Sequence, residues 1–129
     1  MSDLRDPTPA ELAILNVLWQ RGPSTVREVH TELSKTSAMV YTTALKTMQI
    51  MADKGLVARD TSQRSHIYTP VHEETTVQGS LVSNLAARAF GGSTPQLAMR
   101  ALAAGPVSPD DLQRLRDLLE RLEPRDEEP

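Results

Sequence analysis

Two short signatures fix where helices begin in this chain, and a Gly-Pro pair between them fixes where the first must stop. In TPAELAILNVLWQRGP, Thr8 is placed to cap a helix, Pro9 takes the first helical position where its missing N–H costs nothing, and Glu11 completes a capping box. Gly22-Pro23 ends that helix, and Thr25 with Glu28 repeats the box at once to start a second. A third stretch, VYTTALKTMQIMADKG, runs from Val40 to Gly55, a residue suited to the left-handed position after a helix. LVARD, TSQRS and HIYTP then read as strand, turn and strand, and the turn lacks an Asn-Gly pair that would specify its type. Three helices, the second and third joined by the short turn SKTSAM, followed by a hairpin describe a winged helix-turn-helix.

The spacing of apolar residues says which faces are buried. Leu12, Leu15, Leu18 and Trp19 mark the core face of the first helix, and Val26, Val29 and Leu33 that of the second. In the third, Val40, Ala44, Leu45, Met48, Met51 and Ala52 recur at helical spacing and are expected to face the other two. That leaves Thr42, Thr43, Lys46 and Thr47 turned away from the core. Threonine is a mediocre helix former, because branching at Cβ restricts its rotamers against the preceding turn, so such a cluster calls for a reason. Short hydroxyls around one lysine fit a major groove, where threonine can meet phosphate or a thymine methyl and lysine can donate to guanine or phosphate. The bland reading of the same residues is a solvated helix face. Arg59 and Arg64 flank the hairpin turn, either over the minor groove and its phosphates or simply in solvent. Tyr41 either touches the DNA backbone or covers the turn before the helix.

Beyond Pro70 the pattern changes to amphipathic helices with few aromatic residues. Val77, Leu81, Leu85 and Ala89 lie four apart in one helix that Gly91-Gly92 terminates, and Thr94-Pro95 opens a short second one. Ser108, Pro109 and Asp111 start the last, whose Leu112, Leu115, Leu118, Leu119 and Leu122 form a dense stripe. Thin helices of this kind scarcely close a core alone, so a second copy is the natural place to bury Leu81, Leu85 and that stripe. The expectation is a mainly α protein with a small β-hairpin: a winged helix-turn-helix DNA-binding domain over residues 1–71 and a helical dimerisation domain over residues 72–129.

Charge at first argues against a nucleic-acid partner, since 14 Lys and Arg stand against 17 Asp and Glu for a net charge of -3. The distribution reverses that impression. From Lys35 to His66 there are five cationic residues against two acids, whereas from Glu73 to Pro129 six arginines face ten acids, many of them in the closing PRDEEP. The basic part holds the threonine-rich helix.

Several function classes are excluded. The chain has no cysteine, which removes disulfides, zinc-thiolate sites and thiolate catalysis. His30, His66 and His72 show no HxxxH or HExxH spacing, so no metal and no cofactor is expected. No GxSxG, P-loop or GxGxxG occurs, and an enzyme is not expected. MSDLRDPTPAEL has neither a basic n-region nor an apolar run, and no segment approaches the roughly 18 to 20 apolar residues of a membrane span, so the expected location is the cytoplasm.

At these residues the sequence resembles the penicillinase-repressor family of bacterial regulators, the BlaI/MecI/CopY group. The matching pieces follow in order: Glu11 to Trp19 (E-x-x-I-L-x-x-L-W), Thr25-Val26-Arg27-Glu28-Val29, Tyr41-Thr42-Thr43-x-Leu45, Lys54-Gly55-Leu56 and Tyr68-x-Pro70. The resemblance implies a homodimeric repressor that binds a dyad-symmetric double-stranded operator through the third helix of each winged domain, with Thr25, Tyr41, Thr42, Thr43, Lys46, Thr47, Arg59 and Arg64 as DNA-contacting residues. It also implies a regulatory membrane protease as a partner. Three departures qualify it. Copper-responsive members carry a C-terminal cysteine motif, absent here, which excludes copper sensing. Many members have a basic residue late in the third helix where this chain has Gln49 and Ile50, so its phosphate clamp is lighter or supplied elsewhere. Beta-lactam-responsive members are cut at an Asn-Phe bond, for which the nearest equivalent is Arg100-Ala101, within a segment from Met99 to Pro106 expected to connect the last two helices. A winged helix can also be a protein-protein docking module that never meets DNA. Salt dependence of duplex binding separates the two.

Overall fold

The computed structural model describes residues 5–124, and most of the acidic PRDEEP end falls outside them. Eight elements follow in order: α1 (Pro9–Arg21), α2 (Val26–Leu33), α3 (Tyr41–Lys54), β1 (Val57–Asp60), β2 (Ile67–Pro70), α4 (Glu74–Ala89), α5 (Thr94–Ala104) and α6 (Pro109–Leu122). The chain divides into two compact units, one running through Leu85 and the other starting at Ala86.

Both capping boxes form in the first unit. The Thr8 hydroxyl accepts from the Glu11 N–H while the Glu11 carboxylate accepts from the Thr8 N–H, and Thr25 and Glu28 do the same for α2. Each such cap stabilises its helix by about 1 kcal/mol. Gly55 takes φ +81°, and the Leu56 N–H donates to the Met51 carbonyl, which turns the chain out of α3 straight into β1. The strands pair antiparallel with Val57 opposite Pro70 and Asp60 opposite Ile67. A third piece of backbone joins this ribbon. Ser24, between α1 and α2, exchanges two hydrogen bonds with Tyr68, of 2.8 and 3.1 Å, and so fastens the hairpin to the helices.

The core is one cluster in which Ile14, Leu15 and Leu18 of α1, Val29 of α2, and Ala44, Met48 and Met51 of α3 meet Val57 and Tyr68 of the hairpin. Burying side chains of this size contributes roughly 1.5 to 3 kcal/mol each. Trp19 lies partly buried against the cluster, with its indole N–H donating to the His72 carbonyl at 3.1 Å. Two expectations need correcting. Val40 is 58 % exposed, because it is the N-cap of α3 and not a member of its core face. Ile14 is fully buried while Leu12 is only half-buried, so the buried face of α1 is rotated from the one expected.

Glu11 is a further surprise, a carboxylate 3 % exposed. Its second oxygen accepts from the Lys54 ammonium at 2.7 Å, joining the start of α1 to the end of α3. Burial by itself raises the Glu11 carboxyl, but hydrogen bonds from Lys54 and the Thr8 backbone, with the lysine charge, outweigh it and hold the group below the ordinary carboxylate range. A group depressed in the folded state adds stability above its unfolded pKa and loses it as pH falls through the folded one. Lys54→Met is therefore expected to cost about 1 to 3 kcal/mol at neutral pH. Denaturant unfolding checks this: the gap between the two proteins should close in acid, and a gap as wide in acid as at neutrality would mean that the pair is not its source.

In the same unit, α4 buries Val77, half-buries Leu81, and donates from Asn84 to Asp6 at 2.7 Å. The second unit begins with the end of α4, where Gly91 and Gly92 take φ of +58° and +86° and the Gly92 N–H donates to the Ala86 carbonyl. α5 opens at Thr94-Pro95 with Ser93 as its cap, and Ser108 caps α6 as the sequence indicates. Neither α5 nor α6 buries a single residue. Arg100 and Ala101 lie inside α5, which extends through Ala104, so the connection to α6 is shorter than the Met99 to Pro106 segment expected from sequence.

Candidate nucleic-acid interface

α3 presents one strip to solvent. Its first turn exposes Thr42 and Thr43, and the next exposes Lys46 on the same side, while Thr47 is half-buried beside them. Gln49 and Ile50 continue the strip. α3 is also unlike α1 and α2 at its start. Val40 supplies no side-chain acceptor and the first turn contains no acid, so the partial positive charge of the helix end is left uncompensated beside the threonines.

Two contacts hold this helix in place. At its far end Lys54 is tied to Glu11. At its near end His30 of α2 contacts the Met39 carbonyl through Nε2 at 3.1 Å, which makes Nε2 the protonated nitrogen, and its ring meets Tyr41 edge-on at 5.8 Å. On Tyr41 in turn lies the Arg27 guanidinium, 5.4 Å from the ring centre. Tyr41 thus both covers the helix-turn-helix connection and carries a cation.

The remaining candidates separate. Arg64 and His66 of the hairpin turn share a groove of ≈340 Å³ with Thr25, Arg27, Tyr41 and Gln49. Thr25 offers that groove a hydroxyl already used as the cap of α2. Arg59 is exposed on β1, apart from the groove lining. Among the leucines, Leu112, Leu118, Leu119 and Leu122 of α6 are all exposed, the last two by 62 % and 68 %, and Leu115 is half-buried. Leu85 at the end of the first unit is 42 % exposed. Arg27 was not among the sequence candidates. Its signal was available only as the third residue of a matched motif, since nothing in the local spacing says that it meets Tyr41.

No group of residues that could hold a metal ion occurs among the described residues. No helix among them is long and apolar enough to cross a membrane.

Against this geometry, the family profile described as penicillinase repressor matches residues 7–121. The chain belongs to the penicillinase repressor family. Within that family of transcriptional repressors, it is 34 % identical over 114 residues to the transcriptional regulator BlaI of Mycobacterium tuberculosis, an alignment covering 88 % of this chain and 82 % of that one. It is 24 % identical over 128 residues to the penicillinase repressor of Bacillus licheniformis, covering 99 % and 100 %. Two solution structures align with a TM-score of 0.50 at 29 % identity, each covering 58 % of this chain and 92 % of the other: the DNA binding domain of the repressor BlaI, and Bacillus licheniformis BlaI in monomeric form in complex with the blaP half-operator. The penicillinase repressor family therefore supplies both the fold of the first unit and a relative solved on DNA.

Proposed function

We propose that this chain is a DNA-binding transcriptional repressor acting as a homodimer on a dyad-symmetric operator, with α3 of each copy in a major groove. The observation that carries the reading is the exposed strip of Thr42, Thr43 and Lys46 on a helix held at both ends and free of acid in its first turn. It is supported by the likeness of the first unit to a domain solved on a half-operator. On this reading Thr42, Thr43 and Lys46 meet base edges or phosphates, Thr47 and Tyr41 line the strip, and Arg59 and Arg64 of the wing meet backbone.

The homodimer is argued from the second unit. Two helices that bury none of their residues, with Leu119 and Leu122 largely exposed, lack a core unless another surface covers them, and a second copy does so symmetrically. A regulatory protease acting on this half would find Arg100 and Ala101 within α5, whereas Gly105 to Val107 is non-helical backbone and the more accessible substrate.

Duplexes selected from a random pool, followed by a salt titration, test the proposal. About six phosphate contacts per dimer give a slope of log K against log salt near -5. Little affinity for any duplex at any salt would instead make the winged unit a protein docking module. Within the same assay, Thr43→Ala is expected to relax base preference and cost about 1 to 3 kcal/mol per contacted position, while folding stays as in the parent. Lys46→Ala should weaken binding, and flatten the salt slope if its partner is phosphate. Parental affinity in both variants would remove α3 from the interface.

A further inference from the structure

We propose that Arg27, oriented by the ring of Tyr41, seats a DNA backbone phosphate in the groove between α2, α3 and the wing. The inference rests on the DNA-binding reading above and adds to it a positioning residue on α2.

Arg27 is exposed, and among the described residues its guanidinium makes no hydrogen bond and no ion pair. It is nevertheless not adrift. Its central carbon lies 5.4 Å from the Tyr41 ring centre, Tyr41 is braced edge-on by His30, and His30 is anchored on the Met39 carbonyl. A guanidinium held over a fixed ring leaves its coplanar N–H donors uncommitted, which suits two-point recognition of a phosphate. The groove it borders also holds Arg64 and His66 and contains no carboxylate.

Two acids on the neighbouring elements are already engaged. Glu28, next in sequence, binds the Thr25 N–H at 2.9 Å and Arg21 at 3.2 Å, and those contacts hold its carboxyl low. Asp60 accepts from the Ser62 N–H at 2.9 Å. Neither competes for Arg27. Gln49 of α3 lines the same groove with a neutral side chain.

The test is a salt titration of the full-length chain on a selected duplex and on a scrambled one. For Arg27→Ala the expected result is a loss of about fivefold per half-site at 0.15 M salt on both duplexes, with the slope of log K against log salt flatter by about 0.9 per subunit. Arg27→Lys should keep the parental slope, and Tyr41→Leu, which keeps the charge but removes its platform, should lose affinity without changing the slope. Thermal unfolding of Arg27→Ala should match the parent, because the side chain is exposed, and Arg27→Gln offers a second neutral variant. Parental affinity and slope in Arg27→Ala would overturn the proposal, as would a loss confined to the selected duplex, which would make Arg27 a reader of bases. If Arg27→Ala binds like the parent while Lys46→Ala is weakened, only this proposal fails. If the parent itself binds no duplex, the DNA-binding reading fails with it.

Discussion

A chain ending at Leu85 is expected to fold, to be monomeric, and to bind an operator duplex about 10²-fold or more weakly than the full chain. The reason is geometric. In the proposed dimer the second half-site is engaged at the high effective concentration set by the first, and that advantage vanishes when the helices joining the copies are removed. The proposed DNA face is untouched, because the first unit's core, from Ile14 to Tyr68, and the proposed interface residues all precede the cut. A shorter chain ending at Val71 keeps the same core but loses the His72 carbonyl that receives Trp19 and the buried Val77, so it should be less stable by about 1.5 to 3 kcal/mol. Light scattering and gel-shift titration on the Leu85-terminated chain decide the matter. A dimer that bound as tightly as the full chain would place the joining surface before Leu85.

Replacing Arg64 by glutamate is expected to weaken selected and scrambled duplexes together, by roughly 30-fold per half-site at 0.15 M salt, since the change both removes a cation and adds an anion. Arg64 is exposed at the hairpin turn, on the rim of the groove that Arg27 borders, so no packing is disturbed. Loss on the selected duplex alone would assign Arg64 to base reading. No loss on either would put the wing outside the interface.

The local features of this fold were legible because each depends on residues a few positions apart. Thr8 with Glu11, Thr25 with Glu28, and Gly55 after Lys54 mark helix ends through hydrogen bonds closed within one turn, and all three form. The buried members of α3 followed from helical spacing, which also added Val40, since spacing alone cannot distinguish a cap from a core residue. What could not be read was contact between distant segments. Glu11 looked like half of a capping box and is also the buried partner of Lys54. Ser24, which no helix or strand pattern marks, is a bridge partner of Tyr68. Arg27 belonged to a matched motif, but its place over Tyr41 depends on how the turn between α2 and α3 closes, and no periodicity encodes that.

The fastening of α3 at both ends has a thermodynamic consequence. With Lys54 locked to Glu11 and the preceding turn pinned by His30, the helix is already ordered before any ligand arrives, so little conformational entropy remains to be lost on docking. Adjustment then falls to the partner. A duplex whose groove is too narrow or whose curvature is wrong must itself deform to meet the strip, and the energy of that deformation depends on sequence even at base pairs the protein never touches. Part of the discrimination between sites would thus reside in the stiffness of the nucleic acid, imposed by a protein surface that does not yield.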